Sequence, residues 1–222
     1  QEDATVFTGL VQALGRVEAM SLHASGARLE VGAAWDARPD VGDSICVSGC
    51  CLTLAEPVGE APGGVRMAFD VIHETLQKTA LGGLTAGSAV NLETSCTPTT
   101  LLGGHIVQGH VEGVGAFDRV QTGDDWRITV QPPADLMPYI TPKGSITIDG
   151  VSLTVAEVDV AGGTFGVALL PTTLEATTLG EAKAGGRCNL ETDILARTVL
   201  HYTRHYAGAA ASDVGPAADG SG

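Results

Sequence analysis

Asp43-Ser-Ile-Cys-Val-Ser-Gly-Cys-Cys-Leu-Thr-Leu-Ala-Glu56 returns later in the chain as Gly144-Ser-Ile-Thr-Ile-Asp-Gly-Val-Ser-Leu-Thr-Val-Ala-Glu157. From Glu56 to Glu157 the offset is 101 residues. Outward from this pair, Glu74-Thr-Leu-Gln-Lys-Thr-Ala-Leu-Gly82 matches Thr172-Thr-Leu-Glu-Ala-Thr-Thr-Leu-Gly180, and Asn91-Leu-Glu93 matches Asn189-Leu-Glu191, both at an offset of 98. Three blocks in the same order and at nearly the same spacing make the chain a tandem duplication.

Each copy reads mainly as strands. Ser44–Leu54 and Ser145–Val155 alternate with period two and are rich in β-branched residues, with Gly49 and Gly150 as expected bulge points. Arg28–Val31, Gly64–Val71, Trp126–Gln131 and Thr164–Leu170 add strands between Gly, Pro and Asp turns. Short antiparallel strands in a unit of this size favour a closed barrel, which leaves no sheet edge exposed. The expected fold is therefore mainly β: two tandem small closed antiparallel β-barrels of six to eight strands, followed by a C-terminal α-helix. His73-Glu-Thr-Leu-Gln-Lys and Pro171-Thr-Thr-Leu-Glu-Ala predict one or two helical turns after a strand. Leu195, Val199, Tyr202 and Tyr206 recur at spacings of four, three and four, an apolar helical stripe behind Asp193 as N-cap. The expected divisions are an extension over 1–5, barrels over 6–104 and 105–192, a helix over 193–206 and a disordered tail over 207–222. That tail is mostly Ala, Gly, Ser, Pro and Asp, too poor in apolar residues to order itself.

Composition narrows the function classes. A formal net charge of −14 opposes binding to nucleic acid or anionic membranes. No apolar run approaches the ~20 residues of a membrane helix, and Gln1–Ala4 does not open a signal peptide. Five unevenly spaced cysteines, Cys46, Cys50, Cys51, Cys96 and Cys188, do not form a disulfide framework and suit a reducing, cytoplasmic compartment.

Differences between the copies indicate chemistry. Cys51 and Thr53 share one strand face with Leu52 opposite; in the second copy Ser152 and Thr154 oppose Leu153. Leucine belongs to the core in both, so thiol and hydroxyls face the other way. Ser48 stands against Asp149, Gly42 against Lys143, and Leu10 against His110. A conserved framework with diverged reactive groups suits one type of ligand used in two roles. Each residue also has a plainer reading. A strand cysteine is commonly core filler, which is the reading taken for Cys50. Lys143 before Gly144 fits an ordinary turn. Asp193 fits a simple N-cap, a role compatible with a place in a site. His105 reads as structural. With His110 only five residues away and no further ligand pattern, no metal site is expected. His201 and His205 are assigned no chemistry.

Four motifs taken together resemble the α-chain riboflavin synthase family: Val6-Phe-Thr-Gly-Leu-Val11, Ser48-Gly-Cys-Cys-Leu-Thr53, Gly103-Gly-His-Ile-Val-Gln-Gly-His-Val111 and Lys143-Gly-Ser-Ile-Thr-Ile-Asp-Gly-Val-Ser-Leu-Thr154. The resemblance runs from about Phe7 to Tyr206. It implies two lumazine-binding barrels and a trimerising helix. It also implies 6,7-dimethyl-8-ribityllumazine as substrate, a homotrimer, lumazine synthase as pathway neighbour, and no cofactor. The implied reaction passes a four-carbon unit from one lumazine to another, giving riboflavin and 5-amino-6-(D-ribitylamino)uracil.

Matching positions assign Cys51, His110, Ser152, Asp149, Lys143 and Asp193 to catalysis. The same matching gives substrate contacts to Phe7, Gly9, Leu10, Val11, Leu52, Thr53, Gly109, Val111, Leu153 and Thr154. It adds Asp70, Val71, Ile72, His73, Glu74 and Thr75 in the first copy, and Ala168, Leu169, Leu170, Pro171, Thr172 and Thr173 in the second. Two departures stand out: Phe7 follows six residues where the family's Phe follows the initiator Met, and His73 replaces a common Pro. The alternative is a non-catalytic lumazine- or flavin-binding protein of antenna type, which needs the pocket but not Cys51, His110, Asp149 and Ser152 together.

Overall fold

The computed structural model describes residues 5–61, 64–123 and 125–207. The tail expected beyond residue 207 and the start of the N-terminal extension lie outside the described residues. The first repeat contains β1 (Ala13–His23), β2 (Gly26–Ala33), β3 (Ser44–Val47), β4 (Cys50–Thr53), β5 (Gly59–Ala61), β6 (Gly64–Ile72), α1 (His73–Lys78) and β7 (Ala89–Thr94). The second contains β8 (Gly113–Gln121), β9 (Trp126–Gln131), β10 (Ser145–Ile148), β11 (Val151–Asp159), β12 (Thr164–Leu169), α2 (Pro171–Ala176) and β13 (Arg187–Thr192). The helix α3 (Ile194–His205) follows.

The second repeat is a closed six-stranded barrel in the order β10-β11-β12-β9-β8-β13. The first is a seven-stranded sheet in the order β4-β3-β7-β1-β2-β6-β5, whose β4 side meets β6 only through the bridge Leu54–Phe69 and the bond from Ala55 N–H to the Ala68 carbonyl (2.9 Å). One residue accounts for the difference. Where β11 carries Val158, paired with Phe165, the first repeat carries Pro57. Proline has no N–H for the ladder, so the strand breaks and resumes as β5 beyond it.

Gly49 and Gly150 are not bulges. Ser48-Gly49 and Asp149-Gly150 all have positive φ (44°, 82°, 49° and 78°), which makes them two-residue hairpin turns linking β3 to β4 and β10 to β11. The register shifts lie elsewhere, between Val17 and Ala19, Phe117 and Arg119, and Val155 and Glu157.

Each repeat has its own core. Leu29, Ile45, Met67, Phe69 and Leu92 fill the first; Ile128, Ile146, Ile148, Phe165 and Leu190 fill the second. The repeats meet along a local two-fold where the two turns touch, closely enough that a Cβ on Gly49 would stand 2.8 Å from the Gly150 nitrogen. Asn91 donates to the Asp149 carbonyl (2.8 Å) and Asn189 to the Ser48 carbonyl (2.7 Å), so the matching asparagines exchange bonds across the seam.

The apolar stripe of α3 is helical as expected, but it does not pack within the chain. Leu195, Val199, Tyr202 and Tyr206 are 63%, 66%, 55% and 55% exposed. Among the described residues no helix is long and apolar enough to cross a membrane.

Candidate active site

Two short segments outside the sheets decide where the candidate residues lie. Phe7 and Val107 pair antiparallel (2.7 and 3.1 Å) and are fully buried beside Cys46. From this pair each segment runs onto the other repeat. Val11, ahead of the first repeat, packs on the second core; Val111, ahead of the second, packs on the first. The Gly109 carbonyl accepts the Cys51 N–H and the Gly9 carbonyl accepts the Ser152 N–H, both at 2.8 Å. Gly9 and Gly109 have φ of 75° and 73°, and an added Cβ would stand 2.6 Å from Ser152 Cβ or 2.7 Å from Cys51 Cβ. Both the backbone conformation and the contact exclude a side chain there.

This crossing assembles two groups of side chains of different chemistry, the first around a cavity. That cavity, of about 260 Å³, is lined by Cys50, Cys51, Ile72, Glu74, Thr75, Lys78, Thr79, Gly109, His110 and Val111. His110 therefore lies beside Cys51 and not, as its position in the second copy suggests, beside Ser152. Burial pushes the Cys51 thiol above its ordinary range, opposed by a hydrogen bond with Ser44. At neutral pH it is a protonated donor, not a thiolate. Lys78 is paired with Glu74 at 2.6 Å.

In the second group Ser152 Oγ lies 2.8 Å from His105 Nδ1. The same histidine's backbone N–H donates to the Thr8 carbonyl (3.2 Å), and its buried Nε2 makes no hydrogen bond among the described residues. Burial lowers the His105 pKa, with the Asp193 carboxylate opposing the shift. Asp193 also caps α3 by accepting the Leu195 N–H at 2.9 Å. Ser152 and His105 thus form a hydroxyl–imidazole pair, on which the Asp193 carboxylate acts through its charge alone. His105, read from sequence as structural, is the residue the structure brings against Ser152. The available signal was the one used for His110: at the repeat offset of 100, His105 stands against Thr5.

Other candidates are placed differently. Cys50, Leu52, Leu153, Leu169 and Val71 point into the cores, which leaves only their main-chain atoms for a ligand, and Phe7 is fully buried at the seam. Thr53, Thr154, Leu10, Ile72, Thr172 and Leu170 are exposed on the outer side. Asp70 pairs with Arg28 at 2.8 Å, and His73 Nε2 lies 3.1 Å from the Ala24 carbonyl. Lys143 is exposed in a left-handed turn (φ 66°). Asp149 stays at the seam: it accepts the Asn189 N–H at 2.8 Å and lines a separate cleft of about 440 Å³ with Ser48, Thr178 and Asn189. Burial pushes its pKa up to about 7.

The lumazine binding domain model matches twice, over residues 8–95 and 108–193. The chain belongs to the riboflavin synthase family. The riboflavin synthase of Mycobacterium tuberculosis is 42% identical over 202 residues, covering 90% of this chain and 98% of that protein. That of Photobacterium phosphoreum is 37% identical over 199 residues, 87% of each. Crystal structures of LumP complexed with 6,7-dimethyl-8-(1'-D-ribityl) lumazine and with riboflavin are similar at TM-score 0.69, with 25% and 26% identity, covering 84% of this chain and 98% of that one. Membership of the riboflavin synthase family makes the chain an enzyme, a transferase. The two matched domains begin beside the crossing segments, at Thr8 and Gln108.

Proposed function

We propose that this chain converts two molecules of 6,7-dimethyl-8-ribityllumazine into riboflavin and 5-amino-6-(D-ribitylamino)uracil by moving a four-carbon unit between them. The observation that carries the proposal is the inequality of the pockets: one scaffold, built twice, holds Cys51 with His110 on one side and Ser152 with His105 and Asp193 on the other. A reaction between two copies of one ligand needs two similar pockets with different chemistry. A protein that only stores the ligand needs no such difference.

The reaction needs a proton removed from the C7 methyl group of one lumazine, an electron-pair donor to activate the other, and the two rings stacked. His105, kept neutral by burial, is the proton acceptor of this side, and Ser152 fixes its Nδ1. Cys51 as a neutral thiol and His110 offer hydrogen-bonding groups to the partner ring. Such acid–base groups contribute about 10²–10⁴-fold. Holding two rings in reactive alignment contributes more, roughly 7–11 kcal/mol.

Within one chain Phe7 and Val107 are fully buried and pack beside Cys51, which argues against two rings stacking across that seam. The working site is therefore formed between the first pocket of one chain and the second of another, in a homotrimer. The exposed Leu195, Val199, Tyr202 and Tyr206 stripe supplies the association surface. The test is incubation with 6,7-dimethyl-8-ribityllumazine alone. Riboflavin and the uracil are expected in equal amounts, unaffected by chelators; tight binding without turnover would contradict the proposal.

A further inference from the structure

The crossing segments are held from both sides, and the second side has no role in the mechanism above. Glu191, on β13 of the second repeat, is 2% exposed, and its two oxygens accept three backbone N–H groups: Gln108 (2.7 Å) at Oε1, and Gly109 (2.9 Å) and His110 (3.1 Å) at Oε2. Glu93, on β7 of the first repeat, is 3% exposed and does the same for the other segment. Its Oε1 accepts from the N–H and hydroxyl of Thr8 (both 2.7 Å), and its Oε2 from the Gly9 N–H (3.0 Å). Each segment then passes its next carbonyl across to a reactive residue of the opposite repeat: Gly109 to Cys51, and Gly9 to Ser152.

We propose that Glu191 and Glu93 are crosswise positioning residues: Glu191 in the second repeat sets the wall of the Cys51–His110 pocket, and Glu93 in the first sets the wall of the Ser152–His105 pocket. The inference rests on the two-pocket reading above. Neither carboxylate touches a reacting atom; each acts through the segment it holds. Several buried N–H groups converging on one carboxylate make charge-assisted bonds, which are shorter and more directional than neutral ones. A general capping role would destabilise the fold without regard to pocket, and an ordinary local role would disturb the pocket of the glutamate's own repeat. Glu191 is only two residues from Asp193, so the local outcome is a real competitor. Cys46, Cys51 and Glu112 face Glu191, and none of them is a cation that would substitute for its hold on the segment.

Glu→Gln keeps one acceptor and turns an amide group toward N–H donors, so it loosens the segment at constant size. The test uses full-length E191Q and E93Q, with the ring signals of His110 and His105 followed by NMR and turnover measured alongside. E191Q is expected to move the His110 signals and spare those of His105; E93Q is expected to do the reverse. Each variant is expected to lose roughly 10²-fold in kcat, the cost of a small misplacement. If a Gln variant fails to fold, E191D and E93D, which retain the charge, are read in the same way. Equal movement of both histidines in both variants, or E191Q moving His105 alone and E93Q moving His110 alone, overturns the proposal. The ring signals do not depend on turnover. A chain that binds without turning over therefore defeats the enzymatic reading while the crosswise pattern is still decided.

Discussion

Ser152 and His105 are a half-buried hydroxyl and a ring nitrogen 2.8 Å apart, and two expectations follow from that contact. Ser152→Ala and His105→Gln each lower kcat by about 10²–10⁴-fold, the range for a lost acid–base group, with little change in melting temperature. The acid limb of the kcat/KM profile falls below the ordinary histidine value of 6.5, because burial lowers the His105 pKa and the base must be neutral; a limb above 6.5 contradicts the assignment. Asp149 gives the opposite kind of expectation. Its folded pKa of about 7 lies above the ordinary aspartate value of 3.8, so across that interval the folded chain holds a proton that the unfolded chain has released. Its contribution to stability is present at acid pH and is lost as pH rises through that window. Asp149→Asn retains an oxygen for the Asn189 N–H, so it raises the melting temperature by a few degrees at about pH 8, the advantage vanishing toward pH 4. Thermal melts across pH check this. At this scale alternation placed Cys50 in the core and Cys51 and Ser152 on the other face, because period two fixes which face each occupies. It missed His105, whose segment has no periodic context.

The elements were legible where patterning was strong. The six-residue helices at His73 and Pro171, the strands at Gly64 and Thr164 and the last helix all follow their local sequence. β1 and β8 did not stand out, since Ala13–His23 and Gly113–Gln121 mix glycine with charged residues and become strands through pairing on both edges. The hairpins were read as single bulged strands because the alternation on either side of Ser48-Gly49 and Asp149-Gly150 continues across the turn. Asp-Gly is itself a hairpin signal, and it outweighs the alternation. For α3 the stripe predicted the helix but not what covers it. Val199→Glu, at a position 66% exposed in the single chain, is expected to leave the circular dichroism spectrum unchanged while shifting the sedimenting species from trimer to monomer and removing turnover. A monomeric variant with full activity would mean that α3 does not complete the site.

At the scale of the molecule, duplication was evident from the sequence, while the exchange of segments between the copies was not. Linear order puts His110 in the second copy, and only the Phe7–Val107 pairing carries it to Cys51. The break in the first ring was also beyond the repeat pattern, because Pro57 ends a strand that β11 continues, past its register shift, to Asp159. The proposed arrangement is two crossed, unequal sites that are completed between neighbouring chains of a trimer. Mixed trimers test it most directly. Cys51→Ala disables the first pocket, Ser152→Ala disables the second, and each alone is expected to be nearly inactive. Co-expressed, they bring an intact first pocket of one chain against an intact second pocket of another, and activity returns. Cys51→Ala co-expressed with His110→Gln is expected to recover nothing, since both substitutions fall in the first pocket. Recovery in the first mixture and none in the second is the expected result; no recovery in verified Cys51→Ala and Ser152→Ala mixed trimers, or equal recovery in both mixtures, would contradict the account.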